Sequence, residues 1–114
     1  MIYELRSYTL RPGKLEEFLS FYREKAMPLG LEKLRGRGEP VGQWITRYRE
    51  VVELEGEWRV VEAEEVNYML AFPSREKREE FWRDFLGSEE WRSLMPEWAA
   101  LVSRMDNRIL EPSL

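Results

Sequence analysis

The residues able to do chemistry begin at the fourth position. Glu4, Arg6 and Tyr8 are spaced two apart in IYELRSYTL, a segment whose β-branched and aromatic content predicts a strand. Spacing of two puts a carboxylate, a guanidinium and a phenol on one face. Such a set can bind an anion or an enolate through Arg6 and handle a proton through Tyr8 or Glu4. It can equally be a buried ion pair, or cross-strand pairs that fix register. Trp44, Tyr68 and Asn107 form a second set, two aromatic rings and an amide, and aromatics of this size ordinarily pack a core. Glu62 and Glu64 share a face in a regular strand and offer oxygen ligands to a hard cation. A solvated edge protected by charge is the stronger expectation there, so no metal site is expected. Asn107 and Arg108 are strand neighbours pointing to opposite faces, so at most one can share a cavity with the others.

Composition narrows the chemistry further. The 114 residues suit one domain, 1–114, and 43% hydrophobic content is enough for a core. Cysteine and histidine are both absent, which removes disulfides, thiolate nucleophiles, Cys/His zinc sites, iron–sulfur clusters and haem held by a proximal His. No cofactor is expected, and a general base would have to be Glu, Asp, Lys or Tyr. A net charge of -4 without a basic stripe gives no reason to expect nucleic acid. No apolar run is long enough for a membrane helix. Glu4 and Arg6 interrupt any apolar leader, so the expected location is cytoplasmic. Charge rests almost wholly on Glu and Arg, and Gln43, Asn67 and Asn107 are the only side-chain amides, a thermophile-like composition.

The elements that must position these residues follow in order. After the turn Arg11-Pro12-Gly13-Lys14, Leu15, Phe18, Leu19, Tyr22 and Ala26 make one apolar helical stripe. Pro28 is expected to end or kink this helix, with a short turn over Leu29 to Leu34. A strand starts at Val41, with Trp44, Thr46 and Tyr48 on one face and Gln43, Ile45 and Arg47 on the other. Glu55-Gly56-Glu57 turns it into a third strand from Trp58 to Phe72, bulged near Glu62 to Glu65. Ser74 caps a helix carrying Phe81 and Phe85, and Ser88 caps a short one carrying Trp91, Leu94 and Met95. Pro96 begins another turn, and Met105 to Leu110 is the last strand.

The order βαββαβ defines an α+β, ferredoxin-like arrangement: a four-stranded antiparallel sheet with its helices on one face. The strands carry large apolar residues at both parities, so the open face should be covered as well. A second copy covers it most simply, giving a homodimeric α/β barrel; a standard interface buries about 1,600 Å² in total. Glu4, Arg6 and Tyr8 then face either a pocket or a polar seam between subunits.

Three stretches, IYELRSYTLRPGK, GQWIT and SEEW…MP…NRILEP, resemble the NIPSNAP family of the dimeric α/β-barrel superfamily. The resemblance covers nearly the whole chain, with a hairpin from about Tyr48 to Glu65 longer than the family pattern. It implies the ferredoxin-like fold and a homodimer, and little chemistry. The mitochondrial role of eukaryotic relatives does not transfer, since nothing here resembles a presequence. Where the family often has His and Trp near the end of the third strand, this chain aligns Tyr68 and Leu70, which weakens a site built on that His. Neighbouring families include cofactor-free monooxygenases, which hold phenolic substrates with aromatic and amide groups, haem-degrading enzymes and lactone isomerases.

Three functions compete. One is a homodimer binding a small apolar or aromatic molecule in the barrel between the two sheets, with Glu4, Arg6, Tyr8, Trp44, Tyr68 and Asn107 around that cavity. A second is a cofactor-independent monooxygenase or isomerase. The third is a protein-interaction module without a pocket. A pocket of ~300 Å³ or more inside the barrel, lined by Glu4, Arg6 and Tyr8, favours the first two.

Overall fold

The computed structural model describes all 114 residues. Strand β1 (Ile2–Leu10) leads into helix α1 (Leu15–Phe21), a π-helical turn (Tyr22–Ala26) and α2 (Met27–Leu34). The hairpin β2 (Glu39–Val52) and β3 (Trp58–Phe72) follows, then α3 (Arg75–Leu86), α4 (Glu89–Leu101) and β4 (Val102–Leu110). The strands form one antiparallel sheet in the order β2-β3-β1-β4, the ferredoxin-like topology.

β1 is central, and its even-numbered residues Glu4, Arg6, Tyr8 and Leu10 are buried while the odd ones are only partly so. The even face lies under the helices. Tyr8 packs edge-on to Phe18 of α1 and Trp98 of α4, with centroids 5.6 and 5.7 Å away. Both expectations for Glu4, Arg6 and Tyr8, a cavity inside a barrel of two facing sheets and a polar seam between subunits, are therefore corrected: these side chains point into the chain's own helix layer, away from the open sheet face. Parity groups the three residues but does not say which face the helices cover.

Pro28 does not break the first helix. The chain runs from α1 through the π turn into α2 without interruption, with Pro28 in the first turn of α2. The wider i→i+5 turn just upstream relieves what a proline does to an α-helix, namely a missing N–H and a clash with the carbonyl four residues back. Pro96 likewise lies inside one continuous helix, α4, rather than starting a new turn. Both Pro96 and Arg92, whose carbonyl loses its partner, are exposed, so water can satisfy that carbonyl. β4 accordingly starts at Val102, three residues before the expected Met105. The two serine caps are present: Ser74 Oγ accepts from the Lys77 amide and Ser88 Oγ from the Trp91 amide, each at 3.2 Å.

The hairpin register shifts between Thr46 and Tyr48, opposite Ala63 and Glu64, inside the expected bulge. Beyond it, Trp58 to Glu64 pair only with β2, because β1 reaches β3 no further than Glu65. Tyr48, Val52, Trp58 and Val60 on this outer ribbon are exposed. At the hairpin's inner end β2 is laid tightly on β3. A Cβ on Gly38 would stand 2.6 Å from the Ala71 carbonyl oxygen, which only glycine avoids. The core between sheet and helices is strongly aromatic, with Phe18, Phe72 and Phe81 among its fully buried side chains.

Candidate functional site

This core is incomplete. A cavity of about 810 Å³ lies between the sheet and the helices. Arg6 and Tyr8 of β1, Tyr68 of β3 and Asn107 of β4 line its sheet side. Tyr22 and Ala26 of the π turn, Arg78 and Trp82 of α3, and Trp91 and Trp98 of α4 line its helix side. The volume sits within the range of small-molecule sites, about 300–1,000 Å³.

One buried carboxylate organises the sheet side. Glu4 is fully buried behind Arg6. Arg6 Nη1 donates to Glu4 Oε2 at 3.0 Å, and Trp82 Nε1 donates to Oε1 at 3.0 Å. Arg78 Nε also donates to Oε1. Glu4 thus ties β1 to α3 across more than seventy residues, and every donor on it is matched to a lone pair. Arg6 is held on its other sides as well. Its Nε donates to the Tyr8 hydroxyl at 3.4 Å, and its guanidinium lies over the Trp82 ring, 4.1 Å from the centroid. The Tyr8 and Tyr68 hydroxyls share a hydrogen bond of 2.9 Å, and the Tyr22 ring lies 5.6 Å from that of Tyr68.

Electrostatics follow from this packing. Burial alone would lower the Arg6 pKa; Tyr68, Tyr8 and Glu4 more than offset it, so the net shift is upward and the guanidinium stays charged. Burial pushes the Tyr68 phenol well above the usual tyrosine range, with Tyr8 adding to the rise and Arg6 opposing it. Tyr22 is pushed up by the same causes in the same order. In the unfolded chain these phenols ionise near pH 10 (about the free-tyrosine value), while in the folded chain they hold their protons longer. Their contribution to stability is full below about pH 10 and is lost as pH rises through the folded values. In an alkaline titration followed by tyrosinate absorbance, Tyr22 and Tyr68 are expected to ionise only as the circular dichroism collapses. Ionisation of Tyr22 and Tyr68 near pH 10 with the fold intact would contradict this.

The structure brings together Glu4, Arg6, Tyr8, Tyr68 and Asn107, with Glu4 one layer behind the cavity wall. Trp44 is not among them. It pairs with Asn67 on the opposite face and is half exposed, while its neighbour Gln43 pairs with Tyr68 and lines the cavity. The helix-borne groups Tyr22, Arg78 and Trp82 join the site without having been singled out as chemical residues in the sequence, and Trp98, which reads there as core or interface, lines the cavity. Arg78 lies four residues before Trp82, the spacing that stacks two side chains on one helix face, and that spacing was the available signal. Nowhere do three or more acidic side chains converge as metal ligands, and no helix is long and apolar enough to cross a membrane.

Fold and cavity define a ferredoxin-like α+β protein with a cavity of small-molecule size between its sheet and its helices. The NIPSNAP family model matches residues 3–113, so the chain belongs to the NIPSNAP family. No curated protein matches it. Among solved structures it is similar to a NIPSNAP family protein of unknown function from Agrobacterium tumefaciens, at 24% identity and TM-score 0.78, covering 98% of this chain and 87% of that one. An uncharacterized NIPSNAP domain protein from Burkholderia xenovorans is 18% identical, with TM-score 0.75 and coverage of 99% and 95%. A dimeric ferredoxin-like protein from an uncultured marine organism shares the fold at 14% identity and TM-score 0.60, covering 99% of this chain and 94% of that one.

Proposed function

We propose that this NIPSNAP protein binds a small apolar or aromatic molecule in the cavity between its sheet and its helices, and that it does so as a homodimer joined through the open sheet face. The cavity carries the reading: 17 of its 26 lining residues are hydrophobic, which suits an apolar body, while a fixed guanidinium supplies a polar anchor. The half-exposed Trp44 on the open face supports the dimer, as does the dimeric state of the ferredoxin-like relative. A module without a pocket would have no use for a void of this size. Cofactor-independent oxygenase or isomerase chemistry draws on the same phenols. Burial keeps Tyr22 and Tyr68 protonated, which makes them hydrogen-bond donors rather than bases and favours binding over turnover.

Native mass spectrometry of protein purified without denaturation tests both halves. The expected species has twice the chain mass plus a retained small molecule, and Arg6→Ala loses that molecule. A bare monomer would overturn the reading.

A further inference from the structure

Among the buried groups around the cavity the unused hydrogen-bonding capacity is of one kind, while the amides of Gln43 and Asn107, which offer donors and acceptors alike, lie exposed. Arg78 spends its Nε on Glu4, and its two Nη groups have no acceptor in the protein. Tyr8 and Tyr68, both over nine-tenths buried, have two hydroxyl protons but only one bond between them. Whichever of the two donates, one buried O–H remains without a protein acceptor beside Arg6. Trp98, which also lines the cavity, has a buried Nε1–H with no partner. A buried donor without an acceptor is costly, so these groups favour a partner that brings acceptors.

Charge points the same way. Arg6 and Arg78 line the cavity's inner wall with Glu4 behind them, while Arg83 and Glu79 are both at the exposed rim. Glu79 is already within 3.9 Å of Arg75. Two guanidiniums share the single buried carboxylate of Glu4, leaving a net positive charge on the cavity wall. One surplus charge in a mostly apolar cavity suits a monoanion with a hydrophobic body better than a heavily charged phosphate.

We propose that the cavity selects an aromatic molecule carrying one carboxylate, with its oxygens on Arg78 and the spare tyrosine hydroxyl beside the Arg6 charge and its ring among Trp82, Trp91 and Trp98. This rests on the small-molecule reading above and names the class of ligand within it. The carboxylate supplies the acceptors that the buried part of the wall lacks. The clamp on Arg6 from Glu4 and Trp82 means that little side-chain freedom is lost when the anion arrives.

Isothermal titration with three molecules sharing one ring system decides the matter: 1-naphthoic acid, its primary amide, and 1-naphthylmethylamine. The acid is expected to bind at least about tenfold more tightly than the amide, and the amine not at all. Arg78→Gln should lower affinity for the acid by about tenfold or more and leave the amide unchanged. Tyr8→Phe combined with Tyr68→Phe, which removes both hydroxyls and so the spare O–H, is the second variant and should weaken the acid selectively too. Arg78 lies at the partly exposed edge of the site, and the wild-type series decides even if that variant fails to fold. Equal binding of all three molecules, or a preference for the amine, would overturn anion selection while leaving the cavity a binding site. Binding by none of them would overturn both.

Discussion

Glu4→Gln is expected to lower the free energy of unfolding by about 3–5 kcal/mol, the cost of breaking a buried ion pair by removing one partner. The magnitude follows from what the carboxylate does. It is fully buried and accepts from Arg6, Arg78 and Trp82 together. The amide keeps the shape but turns one oxygen into a donor that faces a guanidinium or an indole N–H. Arg6, itself buried, keeps its charge and loses its counter-ion. Urea denaturation at neutral pH should show the fall as a lower midpoint with an unchanged slope. Replacing both partners, as Glu4→Leu with Arg6→Met, should cost less than the single change, because no charge is then left unpaired. A single-variant loss below about 1 kcal/mol, the scale of an ordinary surface change, would show that the tether between β1 and α3 carries little stability.

Phe18→Ala is the second large effect, at about 3–5 kcal/mol for truncating a buried phenylalanine. Phe18 has no exposed surface, and its ring meets Tyr8 edge-on at 5.6 Å, stacks on Tyr22 at 6.0 Å and touches Phe21 at 6.4 Å. Two of those neighbours line the cavity, so the void left by the ring would open onto the ligand space rather than being filled by collapse. Thermal or urea unfolding gives the stability loss. The same variant should bind 1-naphthoic acid more weakly, because Tyr8 loses the ring that fixes its position. A loss under about 1 kcal/mol would mean that α1 settles onto the sheet and refills the space.

Much of this site was readable along the chain, and the rest failed for identifiable reasons. The two-residue spacing of Glu4, Arg6 and Tyr8 is a local property, and the structure keeps them together on one face. Which face the helices would cover is not local: it depends on the crossover of α3 and α4, and no strand pattern encodes that. Trp44 shows how sensitive parity is to register. Gln43, not Trp44, sits opposite Tyr68, and a slip of one residue in β2 would exchange the two. The hairpin carries register shifts on either side of this pairing, so a plain alternation could not fix it. Arg78 and Trp82 reach Glu4 from 74 and 78 residues away, and only the assembled fold brings them there. The two prolines were misleading for a different reason. A π turn accommodates one, and exposure of the helix around the other lets water take the orphaned carbonyl.

The outer ribbon of the hairpin divides the domain into parts of unequal cooperativity. From Trp58 to Glu64, β3 has a strand on one side only, and a free two-stranded ribbon is marginal by itself in water. The inner part of β3, from Glu65 to Phe72, is flanked by β1 and β2 for almost its whole length. Opening can therefore start at the ribbon and stop at the bulge, where the third strand begins. Tyr68, the first cavity residue on β3, lies on the protected side of that boundary. The hairpin tip is thus free to change sequence, length or partner while the cavity keeps its geometry.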